Sequence, residues 1–140
     1  MLLSNRKKMS DIPQNTCLFK RIEELEMDAQ NFGFYWEHIN QLVEQIQSEC
    51  IEVQEAWQKN NRQHLQEEIG DLLQAAVSLA VFCKLDPHAT LLKSIEKFQK
   101  RYAALVALAK EDGHANLQQQ SMEVLSHYWE KAKNERSNSA

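Results

Sequence analysis

Residues that break helices are scarce in this sequence. Only three glycines and two prolines occur among its 140 residues, too few for the many tight turns that an all-β fold requires. Apolar residues instead recur at intervals of three and four, the spacing that places side chains on one face of a helix. The sequence therefore predicts an all-α fold, an antiparallel bundle of four to five helices, which we expect dimerisation to complete.

Capping residues and polar breaks divide the chain into five predicted helices. Thr16 is placed to cap the first helix, and Gly33 is placed to end it. The pair Asn60 and Asn61 separates the second helix from the third. The predicted helices span about residues 16–32, 36–59, 63–84, 87–110 and 116–133.

The last two helices have their own start signals. Asp86 followed by Pro87 combines a capping residue with a proline in the first turn, and Asn116 is the predicted cap of the last helix. We expect one domain over residues 16–133, with flexible tails at 1–15 and 134–140.

Charge and hydropathy exclude several function classes. A net charge of -4 argues against nonspecific binding to a nucleic-acid backbone. No apolar run reaches the ~18 residues needed to span a bilayer, and the first residues lack the apolar segment of a secretory signal. The three cysteines show no metal-binding spacing, which favours reduced thiols. We therefore expect a cytoplasmic protein without a membrane or nucleic-acid partner.

Acidic residues interrupt the apolar stripes of the second and third helices. Glu49 lies between apolar positions three residues before it and four residues after it, and Glu52 is one turn further on. Glu68 and Asp71 occupy equivalent positions in the third helix. Each helix therefore places two acids, three residues apart, on or beside the face that we expect to be buried.

These four acids are mirrored about the break between the two helices. Glu52 and Glu68 are each eight residues from Asn60, and Glu49 and Asp71 are each eleven residues from it. Equal counts from the turn of an antiparallel hairpin mean equal heights along its axis, so Glu52 should face Glu68, and Glu49 should face Asp71. Clustered carboxylates repel one another, and an oxygen-binding cation relieves that repulsion. A site made only of oxygen ligands favours magnesium, manganese or calcium over zinc.

The alternative is that these acids lie on solvated helix faces, to which we assign Glu44, Glu55 and Glu67. That interpretation explains single acids well, because glutamate is common on helices. It is a weaker explanation for four acids that lie at matched heights on apolar stripes.

Basic and aromatic residues supply further candidates. Lys93, Lys97, Lys100 and Arg101 recur at helical spacing and suit phosphate oxygens, although a solvated face paired with acids is the alternative. Trp36 is placed to stack on a base, or to pack in a core or dimer interface. The five histidines show no ligand spacing, so we expect surface or packing roles for them.

Several segments together resemble a known family. SECIEVQEAW followed by HLQEEIGDLLQAAVSLA is similar to the ExxE and ExxD signature of the MazG-like nucleotide pyrophosphohydrolases, part of the all-α NTP pyrophosphatase superfamily. FYWEHINQL upstream and EKFQKRY downstream resemble neighbouring segments of that family, so the likeness covers about residues 32–105.

The resemblance implies a four-helix, magnesium-dependent enzyme that releases pyrophosphate from a nucleoside triphosphate and leaves the monophosphate. It also implies a homodimer or a dimer of dimers whose subunits share the site. Lys97 and Arg101 would hold phosphate oxygens, and Glu52 is our candidate for accepting the proton of the attacking water, with the other acids as alternatives. The implied metal ligands are Glu49, Glu52, Glu68 and Asp71.

Two positions depart from the family pattern. Ser48 stands where many members have a further acid, and Ile95 stands where many have an asparagine. These departures favour the alternative of a catalytically inactive helical interaction or regulatory module on the same scaffold.

Overall fold

The structure, a computed structural model, describes residues 17–137. Every regular element in this range is a helix, which confirms the predicted all-α class. Residues up to His88 and residues from Ala89 onward form two compact units, and each is described by itself. The helices are α1 (Leu18–Phe32), α2 (Ile39–Gln58), α3 (Arg62–Phe82), α4 (Pro87–Glu111) and α5 (Met122–Ser137).

Helices α1 to α4 end in the same hydrogen-bonded turn. A residue one or two positions beyond each helix end has a positive φ: 101° at Gly33, 55° at Asn60, 57° at Lys84 and 86° at Gly113. The backbone N–H of this residue and that of the next residue donate to carbonyls of the last helical turn. This is the Schellman arrangement, which satisfies carbonyls that the helix leaves without partners.

The starts of α2 and α3 are fixed by side-chain capping. The Gln41 side-chain oxygen accepts from the backbone N–H groups of Glu37 and His38, at 2.8 and 3.0 Å. This bond pattern starts α2 three residues later than predicted. Asn61 Oδ1 accepts from the His64 N–H at 3.1 Å, so α3 begins directly after the polar break.

The start of the last helix was predicted wrongly. Asn116 Oδ1 accepts from the Gln118 N–H at 3.0 Å, within the connection rather than at a helix start. The helix begins six residues later, where Ser121 Oγ accepts from the Val124 N–H at 3.3 Å. The helix continues to Ser137, beyond its predicted end near residue 133. The predicted cap Thr16 and residues 1–15 and 138–140 lie outside the described residues.

The core of the first unit lies in the α2–α3 hairpin. The three-residue connection Lys59–Asn61 folds α3 back along α2, and α1 packs on α3, where Ser78 donates a hydrogen bond to Glu26. Because the hairpin is antiparallel, residues equally distant from the connection come to the same height. The buried apolar residues of the hairpin are Leu42, Ala56, Leu65 and Ala75.

The second unit joins α4 and α5 through aromatic side chains. The Trp129 ring lies 5.8 Å from the Phe98 ring, and the Tyr128 hydroxyl donates to Asp112 Oδ2 at 2.7 Å. Ala109 and Ala132 are buried on the two helices. Within the described residues, none of the helices has the length and apolar character needed to span a membrane.

Candidate active site

Three of the four predicted acids converge on one point. Glu49 on α2 and Glu68 and Asp71 on α3 each offer a carboxylate oxygen, and these oxygens lie within 4.8 Å of one another. The hairpin brings Glu49 to the height of Asp71, and the helical spacing of three residues puts Glu68 beside Asp71. Such a set of oxygens is suited to magnesium, manganese or calcium.

Two of these carboxylates are buried without enough partners. Glu49 is 6% exposed and Glu68 is 8% exposed, and one oxygen of each, Oε2 in both cases, is buried without a hydrogen-bond partner. A buried carboxylate oxygen without a donor is costly, and a cation that coordinated it would remove that cost. The burial and the unsatisfied oxygens therefore fit a bound divalent cation.

The fourth predicted acid, Glu52, lies beside Glu68. Burial, the largest cause, and the neighbouring Glu52 and Glu49 carboxyl groups together raise the pKa of Glu68 to about 7, and His64 acts in the opposite direction. Glu52 is exposed at the edge of the cluster. The hairpin therefore places both glutamates of α2 against Glu68 of α3, with Glu52 on the side that water reaches.

Two residues that the sequence did not single out contact the acids. His64 Nε2 lies 3.4 Å from Glu68 Oε1, and the Gln45 side-chain N–H donates to Glu49 Oε1 at 2.5 Å. Each is four residues from the acid that it contacts, so helical spacing was the available signal. Both side chains orient a carboxylate of the cluster.

Two of the acids line a cavity that Trp36 also lines. The cavity has a volume of about 640 Å³, and Glu49 and Asp71 line one part of it. The segment before α2 contributes three consecutive aromatic residues, Phe34, Tyr35 and Trp36, of which Trp36 is half-buried. Aromatic walls beside a few polar groups are typical of sites for small organic ligands.

The predicted phosphate-binding residues lie on α4, in the second unit. Lys97 is exposed, and Arg101 is one turn further on. The Arg101 guanidinium lies 5.9 Å from the centre of the Trp129 ring, and its Nε is buried without a hydrogen-bond partner. Trp129 therefore limits the orientations open to Arg101 and leaves it able to take an anionic partner.

A family model matches the part of the chain that contains the acidic cluster. The model of the MazG nucleotide pyrophosphohydrolase domain matches residues 37–106, a range that includes the four predicted acids together with Lys97 and Arg101. The chain belongs to the MazG family. The match begins just after Trp36 and ends within α4.

Individual relatives show the same similarity. A Thermotoga maritima protein named nucleoside triphosphate pyrophosphohydrolase/pyrophosphatase MazG is 39% identical over 81% of this chain and 42% of its own length. The Escherichia coli nucleoside triphosphate pyrophosphohydrolase is 28% identical over 89% of this chain and 48% of its own length. This chain thus spans less than half the length of these MazG relatives.

Proposed function

We propose that this protein hydrolyses a nucleoside or deoxynucleoside triphosphate to the monophosphate and pyrophosphate, and that the reaction requires Mg²⁺, with Mn²⁺ as an alternative. One observation carries the proposal: Glu49, Glu68 and Asp71 converge beside a cavity with an aromatic wall, which Glu49 and Asp71 line, and two of the three acids hold buried oxygens without partners. The relatives bearing the name nucleoside triphosphate pyrophosphohydrolase support the same activity.

The proposed cation ligands are Glu49, Glu68 and Asp71, with Glu52 as the fourth acid. A bound divalent cation would lower the pKa of water and neutralise charge on the triphosphate. Gln45 holds Glu49 through one oxygen, so that the unsatisfied oxygen of Glu49 is the one available to a ligand. A hydrogen bond of this kind positions a ligand carboxylate.

Glu52 is the proposed general base. It lies outside the set of three acids whose oxygens converge, yet it is exposed and adjacent to Glu68. In the proposed step, a water oxygen bonds to a phosphorus of the α–β phosphoanhydride, the bond between that phosphorus and the bridging oxygen breaks, and the monophosphate and pyrophosphate separate. Glu52 accepts the proton that the water loses.

The remaining site residues would bind the substrate. Trp36 offers an aromatic face to the base, while Lys97 and Arg101 would hold phosphate oxygens.

We propose that the protein acts as a homodimer or a dimer of dimers. We also propose a cytoplasmic location, which fits the three free, exposed cysteines Cys17, Cys50 and Cys83.

The test is pyrophosphate release from a panel of ribo- and deoxyribonucleoside triphosphates, with Mg²⁺ or with a chelator. We expect release that depends on Mg²⁺, and we expect Glu52→Gln to lower kcat by roughly 10²- to 10⁴-fold. Glu44→Gln, an exposed acid on the same helix, is the matched control. If the folded wild-type protein releases no pyrophosphate from any nucleotide at high concentration, the alternative of a non-catalytic helical module is correct.

A further inference from the structure

The cavity holds a carboxylate that the proposed reaction does not use. Glu26 on α1 lines the same cavity as Trp36, Glu49 and Asp71. Ser78 on α3 also lines it, and its hydroxyl donates to Glu26 Oε1 at 2.5 Å. Ser78 is only 5% exposed, so the buried hydroxyl fixes the position of this carboxylate at the junction of the two helices.

Glu26 is separated from the acidic cluster by a distance that suits a nucleotide. Asp71 and Ser78 lie seven residues apart on α3, two turns along the same face, which corresponds to ~10 Å along the helix axis. Asp71 belongs to the acidic cluster, and Ser78 marks the position of Glu26. The separation is comparable to the length of a nucleoside monophosphate, so a nucleotide whose phosphates reach the cluster would bring its base to Glu26.

We propose that Glu26, held by Ser78, selects the base of the substrate and favours guanine. This inference rests on the proposed function. An ionised carboxylate only accepts hydrogen bonds, and the bond from Ser78 uses one of the acceptor positions on Oε1. Guanine presents two adjacent N–H donors, on N1 and N2, that match two carboxylate oxygens in the paired geometry that arginine uses.

The other bases match this carboxylate less well. Adenine and cytosine each present one amino group beside a ring nitrogen that is itself an acceptor, and that nitrogen would face a carboxylate oxygen. Uracil and thymine present one N–H between two carbonyl groups, and these would also face the carboxylate. A cavity of about 640 Å³ has room for a purine beside the aromatic wall.

The test compares kcat/KM for GTP, ATP, CTP and UTP in the wild type, Glu26→Gln and Ser78→Ala. We expect the wild type to prefer GTP. Glu26→Gln should lower kcat/KM for GTP by roughly 10- to 100-fold, the loss expected when a paired hydrogen bond to a base is removed, with ATP turnover little changed. Ser78→Ala keeps the Glu26 carboxylate but removes the hydrogen bond that positions it. This variant should therefore lower kcat/KM for GTP by a smaller factor.

Controls separate base selection from a structural role. Glu44→Gln should leave the order of the four nucleotides unchanged, since Glu44 is exposed on α2. A wild type without a preference for guanine would overturn the inference, as would an equal loss on all four nucleotides in both folded variants.

A binding measurement keeps the inference independent of turnover. Dissociation constants of GMP and AMP are measured by calorimetry with Mg²⁺ present. If the wild type releases no pyrophosphate yet binds GMP more tightly than AMP, and Glu26→Gln removes that difference, the hydrolytic function fails and base selection stands. If both nucleotides bind the wild type equally, base selection fails whatever the turnover.

Discussion

The surroundings of Glu68 raise its pKa well above the ordinary value. Glu68 is buried, its neighbours Glu49 and Glu52 are also acids, and His64 is the one basic group among the causes that shift its pKa. Burial and like charges both disfavour the ionised form. A cation that bound the cluster would reverse this balance, because it would stabilise the ionised carboxylate. Glu68 is therefore the most informative position for testing whether the cluster binds a metal.

Replacing Glu68 by Gln should abolish the response of the protein to magnesium. A ligand that binds only the native state raises its stability by mass action, so Mg²⁺ should raise the Tm of the wild type. Glu68→Gln should remove that rise and any pyrophosphate release. The metal-free variant should be as stable as the wild type or more stable, because one negative charge has left a repelling cluster. Calorimetric scans with and without Mg²⁺ measure both effects.

Glu44→Gln is the control for this comparison, since Glu44 is exposed on the same hairpin. If Glu44→Gln and Glu68→Gln respond alike to Mg²⁺, in melting and in turnover, the matched heights of the acids have no functional meaning.

The raised pKa of Glu68 gives the metal-free protein a defined pH dependence. The native pKa is about 7, against an ordinary value of 4.5, so between these values the native state holds a proton that the unfolded chain has released. The contribution of Glu68 to stability is therefore complete below pH 4.5 and is lost as the pH rises through 7. With EDTA present, the wild type should lose unfolding free energy between pH 5 and 7.5 relative to Glu68→Gln.

Stabilisation by Mg²⁺ should instead increase with pH, because protons compete with the cation for Glu68. The Mg²⁺-induced rise in Tm should grow from pH 5 to pH 7.5.

Urea unfolding at several pH values measures the metal-free trend. Parallel curves for the wild type and Glu68→Gln would show that Glu68 does not titrate in this range.

Some contacts of the site could be predicted from spacing, and others could not. The positions of Glu49, Glu68 and Asp71 follow from the apolar stripes and from equal counts about Asn60. The contacts of His64 and Gln45 have a spacing of four residues, but many helical pairs share that spacing without interacting. The bond between Ser78 and Glu26 joins residues 52 apart in sequence. It depends on how α1 packs on α3, which no local pattern specifies.

The turn between α2 and α3 sets the register on which the acidic cluster depends. Asn60 adopts a φ of 55° there, a conformation that costs most residues about 1–2 kcal/mol and that glycine and asparagine tolerate. Asn60→Ala should therefore lower the free energy of unfolding by about 1 kcal/mol, while Asn60→Gly should change it little.

Denaturant unfolding of the two Asn60 variants measures this difference. Equal stability of Asn60→Ala and Asn60→Gly would show that the left-handed conformation does not limit the hairpin.

Helix boundaries were predicted well where one signal dominates. Gly33 and Gly113 follow α1 and α4, and Pro87 begins α4. Asn116 misled the prediction because an asparagine side chain can bond a backbone N–H in a turn as readily as at a helix start. Lys84, two residues beyond the end of α3, has a positive φ although it is neither glycine nor asparagine, so no sequence signal predicted its conformation.

The α4 helix carries a row of exposed apolar side chains. Leu91, Ile95, Phe98 and Tyr102 recur every three or four residues on one side of the helix, and each is between 45% and 59% exposed. Four large apolar side chains aligned in this way are unusual on the surface of a monomer. A second copy of the chain is the occupant that the family resemblance implies, and dimerisation remains a prediction.

We expect light scattering at micromolar concentration to give two or four times the 16.3 kDa of one chain. Leu91→Glu places a charge on the apolar face and should shift the mass towards that of the monomer, because burying an unpaired carboxylate in an apolar interface is costly. Lys93→Glu is the control, since Lys93 is exposed and lies on the opposite side of α4, about 200° around the helix. If the wild type is a monomer at these concentrations, or if Lys93→Glu dissociates it as readily as Leu91→Glu, the apolar face of α4 is not the interface, and a site shared between subunits loses its support.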